Sequence, residues 1–380
     1  MRSCLFATLA ALLFCCAFHA LRLVHLAPWP VVYSDILVFY PRAVAPGVPY
    51  LDWPAIEYPV LTGLFIKLMG LVSAGKASYY FASAAGLSLA TLAATALLWG
   101  AAQGGGRQRL RAYWAVAPSM ALFSIMNWDA LVLLCVAGAF FCLRAGRLRS
   151  CACCLALGFS AKFFPVIYLA PLLVAVRPWR EKAWVLAAFL ACAFAVNLPF
   201  LLANPSGWLY MFQFNRGTGP NIDSFWGLLQ FLFPALSSTQ VSHLALASFV
   251  VGYGALIWRL RGAPVERSWF LATLLFILLF KGFSPQFLFW LLPFFVLLPV
   301  VEAVPFYVLE ALNLAVFFCA LQWLFAGGRP LWLILTHAGV VGRHAALLWL
   351  LVRTWRETAR GSLQFDQAGV RALPGMSASR

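Results

Sequence analysis

The chain has 380 residues, 64% of them hydrophobic and only 10% charged, with a mean hydropathy of +0.89. Soluble domains carry about a quarter charged residues, so a water-soluble fold is excluded for want of polar surface to cover it. The apolar runs, such as 89–99 and 271–280, are continuous and lack period-two alternation, which also excludes an outer-membrane barrel. At about 20 apolar residues per span, the length allows roughly ten to thirteen helices.

The net charge of +16, from 27 Lys and Arg against 11 Asp and Glu, is unevenly placed. Arginines recur in clusters between apolar runs: Arg107, Arg109 and Arg111; Arg144, Arg147 and Arg149; Arg177 and Arg180 with Lys182; Arg259, Arg261 and Arg267; Arg353, Arg356 and Arg360. Such clusters mark cytoplasmic loops. No aromatic residues interleave with a basic groove, so nucleic acid is not an expected partner.

With those clusters inside, the elements follow in order. Residues 1–26 read as an uncleaved first span (3–26) and not as a signal peptide, because the apolar run is long and the rest of the chain is itself embedded. The segment 27–77 is less apolar, rich in Pro and aromatics, and holds Asp35, Asp52 and Glu57. Within it 59–72 predicts a helix at the outer surface. Were it a span, the next one would carry Arg107, Arg109 and Arg111 outside. Spans are then expected at 78–100, 112–126, 129–143, 150–161, 163–176 and 183–202. A second outer loop at 203–239 carries Asn215, Arg216, Asp223 and Trp226. Further spans are expected at 240–258, 268–281, 287–301, 304–325 and 331–353. The fold class is therefore an all-α polytopic integral membrane protein with about twelve transmembrane helices and both termini inside. The embedded domain is 1–356, and the polar stretch 357–380 reads as a disordered cytoplasmic tail. Arg343, deep in the last span, needs a partner, and Glu310 in the preceding span is the candidate. All ten cysteines lie in or beside apolar runs and read as packing residues, even though Cys151 and Cys154 have the spacing of a redox or metal pair.

The remaining polar residues converge on the outer face. Asp35, Asp52 and Glu57 lie in the first outer loop, with Tyr58 beside them. Asn127 and Asp129 form an outer turn and Lys162 an outer hinge. Asn215, Arg216 and Asp223 are in the second loop, and Lys281, Ser284 and Gln286 in a last turn. Five of the eleven acids land on that face, where no topology rule requires them. Charges at a bilayer are costly and mark sites, so the set is read as a cleft. Single members have plainer readings: Glu57 as a cap for the surface helix, Asn127 as a cap for the span at Asp129, and His337 as a packed histidine. Carboxylates can serve as a general base and cations can hold a phosphate. No HExxH, phosphate-cradling Gly-rich loop or nucleophile elbow is present. Asp35, Asp129 and Asp223 are the acids that would hold a divalent ion, but the lysines make a site with no metal or other cofactor more economical.

Several stretches resemble the multispan GT-C glycosyltransferases, specifically the family 87 mannosyltransferase-like group. They are Tyr33-Ser34-Asp35-Ile36, Tyr50-Leu51-Asp52, Glu57-Tyr58-Pro59-Val60-Leu61-Thr62-Gly63, Asn127-Trp128-Asp129, Gly158-Phe159-Ser160-Ala161-Lys162-Phe163-Phe164-Pro165, Phe214-Asn215-Arg216 and Lys281-Gly282-Phe283-Ser284-Pro285-Gln286. They run in order from about 30 to 290; each is weak alone and the ordered set is fairly specific. The resemblance implies a polyprenyl-phosphate-sugar donor, a lipid or glycan acceptor, and inverting transfer on the extracytoplasmic face of the cytoplasmic membrane. It also implies an Asp in the first outer loop as base, which matches Asp35 here. Some members carry a histidine pair after the Ser-Pro element. Here Gln286 follows and the next histidine is His337, which puts the chain in a different subgroup. The family's usual sugars are mannose, taken first here, and arabinofuranose. Asp52, Glu57, Tyr58, Asn127, Asp129, Lys162, Asn215, Arg216, Asp223, Lys281, Ser284 and Gln286 are the expected substrate-binding residues. The competing reading is a secondary transporter, which about twelve spans would suit. Transporters, however, place their charges near the midplane on repeat-related halves, and no internal repeat is evident.

Overall fold

A computed structural model describes residues 1–24, 31–52 and 56–367. Among these residues every regular element is helical. Six helices are long and apolar enough to cross a membrane: Arg2–Val24, Lys76–Ala101, Trp179–Ala203, Ser238–Arg259, Ala303–Phe325 and Pro330–Ala359. Their outward residues are apolar, as at Phe194, Leu202, Val250 and Val251, which suits lipid as the solvent.

In chain order, α1 (Arg2–Ala20) is followed by α2 (Asp35–Val44), α3 (Val60–Leu71) and α4 (Lys76–Ala101). The sequence reading placed a helix at α3 but missed α2. Its start is set by Ser34 in extended conformation (φ −149°), and it buries Ile36, Leu37, Phe39 and Ala43 on one face. The span expected at 112–126 is a short helix α5 (Gly106–Leu110), a π turn (Arg111–Ala115) and α6 (Pro118–Phe123). Pro118 has no N–H to donate, and Ala117 before it is extended, so the helix must restart there. Next come α7 (Asp129–Arg144), α8 (Leu148–Ala161), a 3₁₀ turn (Phe164–Tyr168) and α9 (Leu169–Ala175), and then α10 (Trp179–Ala203).

The loop expected at 203–239 is itself largely helical. In it α11 (Pro205–Gly217) starts on Asn204, whose side chain accepts the Gly207 N–H. The next helix, α12 (Phe225–Leu232), starts on Ser224, which accepts that of Gly227. The chain continues through α13 (Ser238–Arg259), α14 (Val265–Leu279), a 3₁₀ helix (Pro285–Leu291), α15 (Leu292–Leu297), α16 (Ala303–Phe325) and α17 (Pro330–Gln367). The piece 287–298 is buried at every position, so it is surrounded by protein and not by lipid. At the positions of the other six expected spans lie helices too short to count among the six long ones, several of them broken at prolines. The last helix also runs beyond residue 356: 357–367 is helical where a disordered tail was expected, with no Pro in it and Gly361-Ser362 carried within the helix, and the expected tail from 368 on lies outside the described residues.

The bundle has two chemically distinct ends. At one, Arg144 pairs with Glu266 and donates to the carbonyls of Ala101 and Leu297, Arg149 pairs with Glu181, and Arg353 with Glu302 and Glu357. At the other end lie the start of α7, the end of α8, and α2 and α3. Thr62 donates to the Ala161 carbonyl (2.8 Å) and the Asp35 N–H to that of Met126 (3.1 Å).

Candidate active site

The acidic end gathers side chains from four helix termini. Asp35 opens α2, and its Oδ1 accepts the Tyr33 hydroxyl at 2.7 Å. Asp129 opens α7 and is buried. Asn127 holds it twice, accepting its N–H (2.9 Å) and donating to Oδ2 (3.2 Å), from one residue before the N-cap position of α7, which is Trp128. Lys162 follows the last residue of α8 and pairs with Asp129 Oδ1. Its ammonium also lies 4.9 Å and 4.7 Å from the ring centroids of Phe287 and Trp290, which form a cation–π wall behind it. Tyr58 packs edge-on against Trp128 (4.9 Å) and Phe39 (5.4 Å). Glu57 pairs with Arg42, so it is an ion-pair partner and does not cap α3.

The charges act on one another. Burial raises the Asp35 carboxyl to about 6; the Tyr33 hydroxyl and Lys162 oppose this, whereas Asp129 and Glu57 add to it. The Tyr58 phenol is pushed well up, first by burial and then by Asp35, Asp129, Glu57 and Tyr33, so it stands among the acids. Burial dominates at both because apolar surroundings penalise the anion.

A second group lies between the α11–α12 loop and the turn after α14. Asn221 is stitched to that turn by its N–H on the Lys281 carbonyl (3.0 Å) and its amide on the Gly282 carbonyl (3.1 Å). Ser284 Oγ is 3.4 Å from Asp223 Oδ2. Burial raises Asp223 to about 6, opposed by Arg343, its own backbone N–H and Ser284. The Lys281 ammonium is used structurally, donating to the Thr218 carbonyl and to Ser242 Oγ (2.8 Å), and burial lowers its pKa.

Arg343 does not meet Glu310. Its guanidinium donates to the Asp223 carbonyl and to Asn313 Oδ1 (3.0 Å) and lies 4.0 Å from the Phe283 ring centroid. Glu310 instead accepts the N–H (2.8 Å) and hydroxyl (2.7 Å) of Ser119 at the start of α6. The two charges face different neighbours, so each has hydrogen bonds without the other, although Glu310 Oε1 and Arg343 Nε have no hydrogen-bond partner among the described residues. His337 packs its ring on Phe231.

Of the expected residues, Asp35, Glu57, Tyr58, Asn127, Asp129 and Lys162 come together, and Asp223, Lys281 and Ser284 form the second group. Asp52 is elsewhere: its carboxylate accepts the Val48 N–H (2.7 Å) and closes a turn at Gly47 (φ +90°). Asn215 bonds within α11 to the Met211 carbonyl, and the Arg216 side chain is exposed. Gln286 is half-buried beside the second group. Sequence reasoning missed Tyr33, Arg42, Phe287, Trp290, Asn313 and the role of Arg343. Only Tyr33, two residues from Asp35, carried a local signal. Among the described residues no three His, Cys, Asp or Glu side chains are grouped to hold a metal ion.

A half-buried acid with its pKa near neutrality, next to a tyrosine and a neutralised Asp–Lys pair, can accept a proton from a hydroxyl. The family model of glycosyltransferase family 87 matches residues 56–285, more than half of the chain. The matched stretch begins after Asp35 and contains both Lys162 and Lys281. No curated protein matches the chain significantly.

Proposed function

The chain belongs to glycosyltransferase family 87, and from this premise we propose that it transfers a sugar from a polyprenyl-phosphate donor to a hydroxyl of a lipid or glycan acceptor, with inversion and with Asp35 as general base. It is an integral membrane protein and a glycosyltransferase. We infer that the acidic end faces the extracytoplasmic side of the cytoplasmic membrane and the arginine-rich end the cytoplasm, as charge asymmetry asks. All twelve expected spans are retained in this reading, with the shorter pieces completing the crossing inside the bundle.

Asp35 removes the acceptor hydroxyl proton as its oxygen bonds to the anomeric carbon. The carbon–oxygen bond to phosphate breaks, and polyprenyl phosphate leaves with the electron pair. The observation that carries the assignment is the Asp35 carboxyl, held near neutrality by burial and oriented by Tyr33. Glu57, neutralised by Arg42, orients acceptor hydroxyls through its remaining lone pairs, and the buried Asp129 holds Lys162 in place. Mannose is the first sugar to test, and the mechanism is written without a metal.

The test is transfer of a labelled sugar from a polyprenyl-phosphate donor by purified protein with no ion gradient. Transfer lost in Asp35→Asn supports the proposal, whereas gradient-dependent uptake in vesicles without transfer favours a transporter. Cysteine labelling that put positions 35 and 281 on opposite sides of the membrane would sink the site model.

A further inference from the structure

Beside Asp35, on the far side of Tyr33, lies a groove of about 360 Å³ that the mechanism above does not use. Arg22, in the 3₁₀ turn (Leu21–Val24) that follows α1, and Lys76, at the start of α4, both line it. So do Ser34, Tyr33, Tyr40 and Phe325, the last of which closes α16. Three long apolar helices therefore end at its rim, all at the acidic end of the bundle. The rim is apolar and open outward, with Val38 and Phe325 each more than half exposed.

Three features of its polar part point to one ligand chemistry. The ten-residue helix α2 begins here, and its N-cap side chain makes no capping hydrogen bond; the Asp35 N–H goes to the Met126 carbonyl and the Val38 N–H to that of Ser34, which leaves the N–H groups of Ile36 and Leu37 at the positive end of the helix for an anion. Ser34 lines the groove and is 1% exposed, and its buried Oγ has no hydrogen-bond partner among the described residues, a state that is costly unless a ligand completes it. Arg22 and Lys76 also line the groove, and neither is in an ion pair among the described residues. By contrast, the cations of the two acidic groups are engaged: Lys162 with Asp129, Arg42 with Glu57, and Lys281 with Thr218 and Ser242.

Resting on the transferase reading, we propose that this groove binds the phosphate of the lipid-linked donor, with Arg22, Lys76 and the Ser34 hydroxyl on the phosphate oxygens and the lipid chain leaving past Val38 and Phe325 into the membrane. Tyr33 divides the two halves of the site. Its ring stacks on Phe325 at 5.7 Å and its hydroxyl is bonded to Asp35. The leaving phosphate is thereby kept on one side of the sugar and the base on the other, as inversion requires. The apolar rim favours a lipid-linked phosphate over a free one, and a groove set between helix ends favours a single thin chain over a two-chain phospholipid.

The test is binding of decaprenyl phosphate to the purified full-length protein, read by native mass spectrometry and by titration in detergent without acceptor. Arg22→Gln with Lys76→Gln is expected to weaken binding by about tenfold or more, and Ser34→Ala by a few-fold. In transfer assays the double variant raises the donor KM with little change in kcat, and Arg22→Lys retains most of the affinity. Neither inorganic phosphate nor phosphatidylglycerol at equal concentration should displace the probe. Wild-type binding by the correctly folded double variant overturns the proposal, as does equal displacement by phosphatidylglycerol or by inorganic phosphate. The readout needs no turnover. Decaprenyl phosphate held at the groove by a protein that transfers no sugar would therefore refute the transferase reading and leave this site standing.

Discussion

Replacing Asp35 by Asn separates the chemical from the structural part of the site. The isostere keeps an oxygen to accept the Tyr33 hydroxyl and removes only the charge. Folding raises the Asp35 pKa from 3.8 to about 6, so the native state holds the proton more tightly than the unfolded chain does. That advantage is complete below about 3.8 and is lost as the pH rises through about 6. At pH 7.5 the ionised carboxylate is therefore a net cost. Roughly two units at 1.36 kcal/mol each give about 3 kcal/mol as an upper bound, and partial exposure of the side chain reduces it to about 1–2 kcal/mol. Asp35→Asn should thus raise the thermal midpoint by a few degrees at pH 7.5 and leave it unchanged near pH 4, measured by tryptophan fluorescence in detergent. In the same protein, transfer should fall by about 10²–10⁴-fold. In the wild type, kcat/KM should rise with pH below about 6 and then level off. A variant with near-normal transfer, or one less stable than wild type at pH 7.5, would refute the reasoning.

Three further substitutions test the frame. Lys162→Met leaves the Asp129 carboxylate, 2% exposed, without its cation. This should cost about 3–5 kcal/mol, and adding Asp129→Leu should recover part of the thermal midpoint. Gly63→Ala puts a Cβ 2.0 Å from the Tyr50 hydroxyl, which sits 2.7 Å and 2.8 Å from the carbonyls of Tyr58 and Pro59. A loss of about 1–3 kcal/mol is expected, with a matching drop in the thermal midpoint. Arg343→Leu strips the Asp223 carbonyl and the Asn313 amide of their donor and should cost about 2–4 kcal/mol, which denaturation of the purified variant would show. Glu310→Gln should not reproduce that loss if the two charges are independent.

The all-helical class and the long helices were legible because lipid demands continuous apolar runs of fixed length. The interrupted pieces were not. At 112–126 and 287–301 the hydropathy is that of a span, but Pro118, Pro285 and Pro293 break the helix, and 287–298 is apolar because protein surrounds it. Hydropathy cannot tell these two apolar environments apart. In the site, Asp35, Asp129 and Lys162 could be singled out because charge is scarce in this composition. Their partners could not: Phe287 and Trp290 are two among many aromatics, and their place over Lys162 depends on packing between segments more than a hundred residues apart. The pairing expected for Arg343 failed for the same reason. Neighbouring helices suggested Glu310, but the helical rotation of α16 turns Glu310 toward Ser119 and offers Asn313 to Arg343 instead.

That misassignment gives Arg343 a larger part than a structural ion pair. Its guanidinium holds the main chain of the α11–α12 loop at Asp223 and, through Asn313 Oδ1, a side chain whose amide donates to the Pro285 carbonyl at 2.8 Å. Pro285 starts the 3₁₀ helix that carries Phe287 and Trp290 over Lys162, and Lys162 is the cation of Asp129. The loop and the wall behind Lys162 are therefore anchored on one buried arginine, which joins the second polar group to the first. An arginine in the middle of a long apolar helix is costly, and here three oriented contacts offset part of that cost, with Nε left without a hydrogen-bond partner among the described residues. Because its guanidinium is a rigid planar fork, it can hold two acceptors in fixed directions at once, which a lysine at this position could not do.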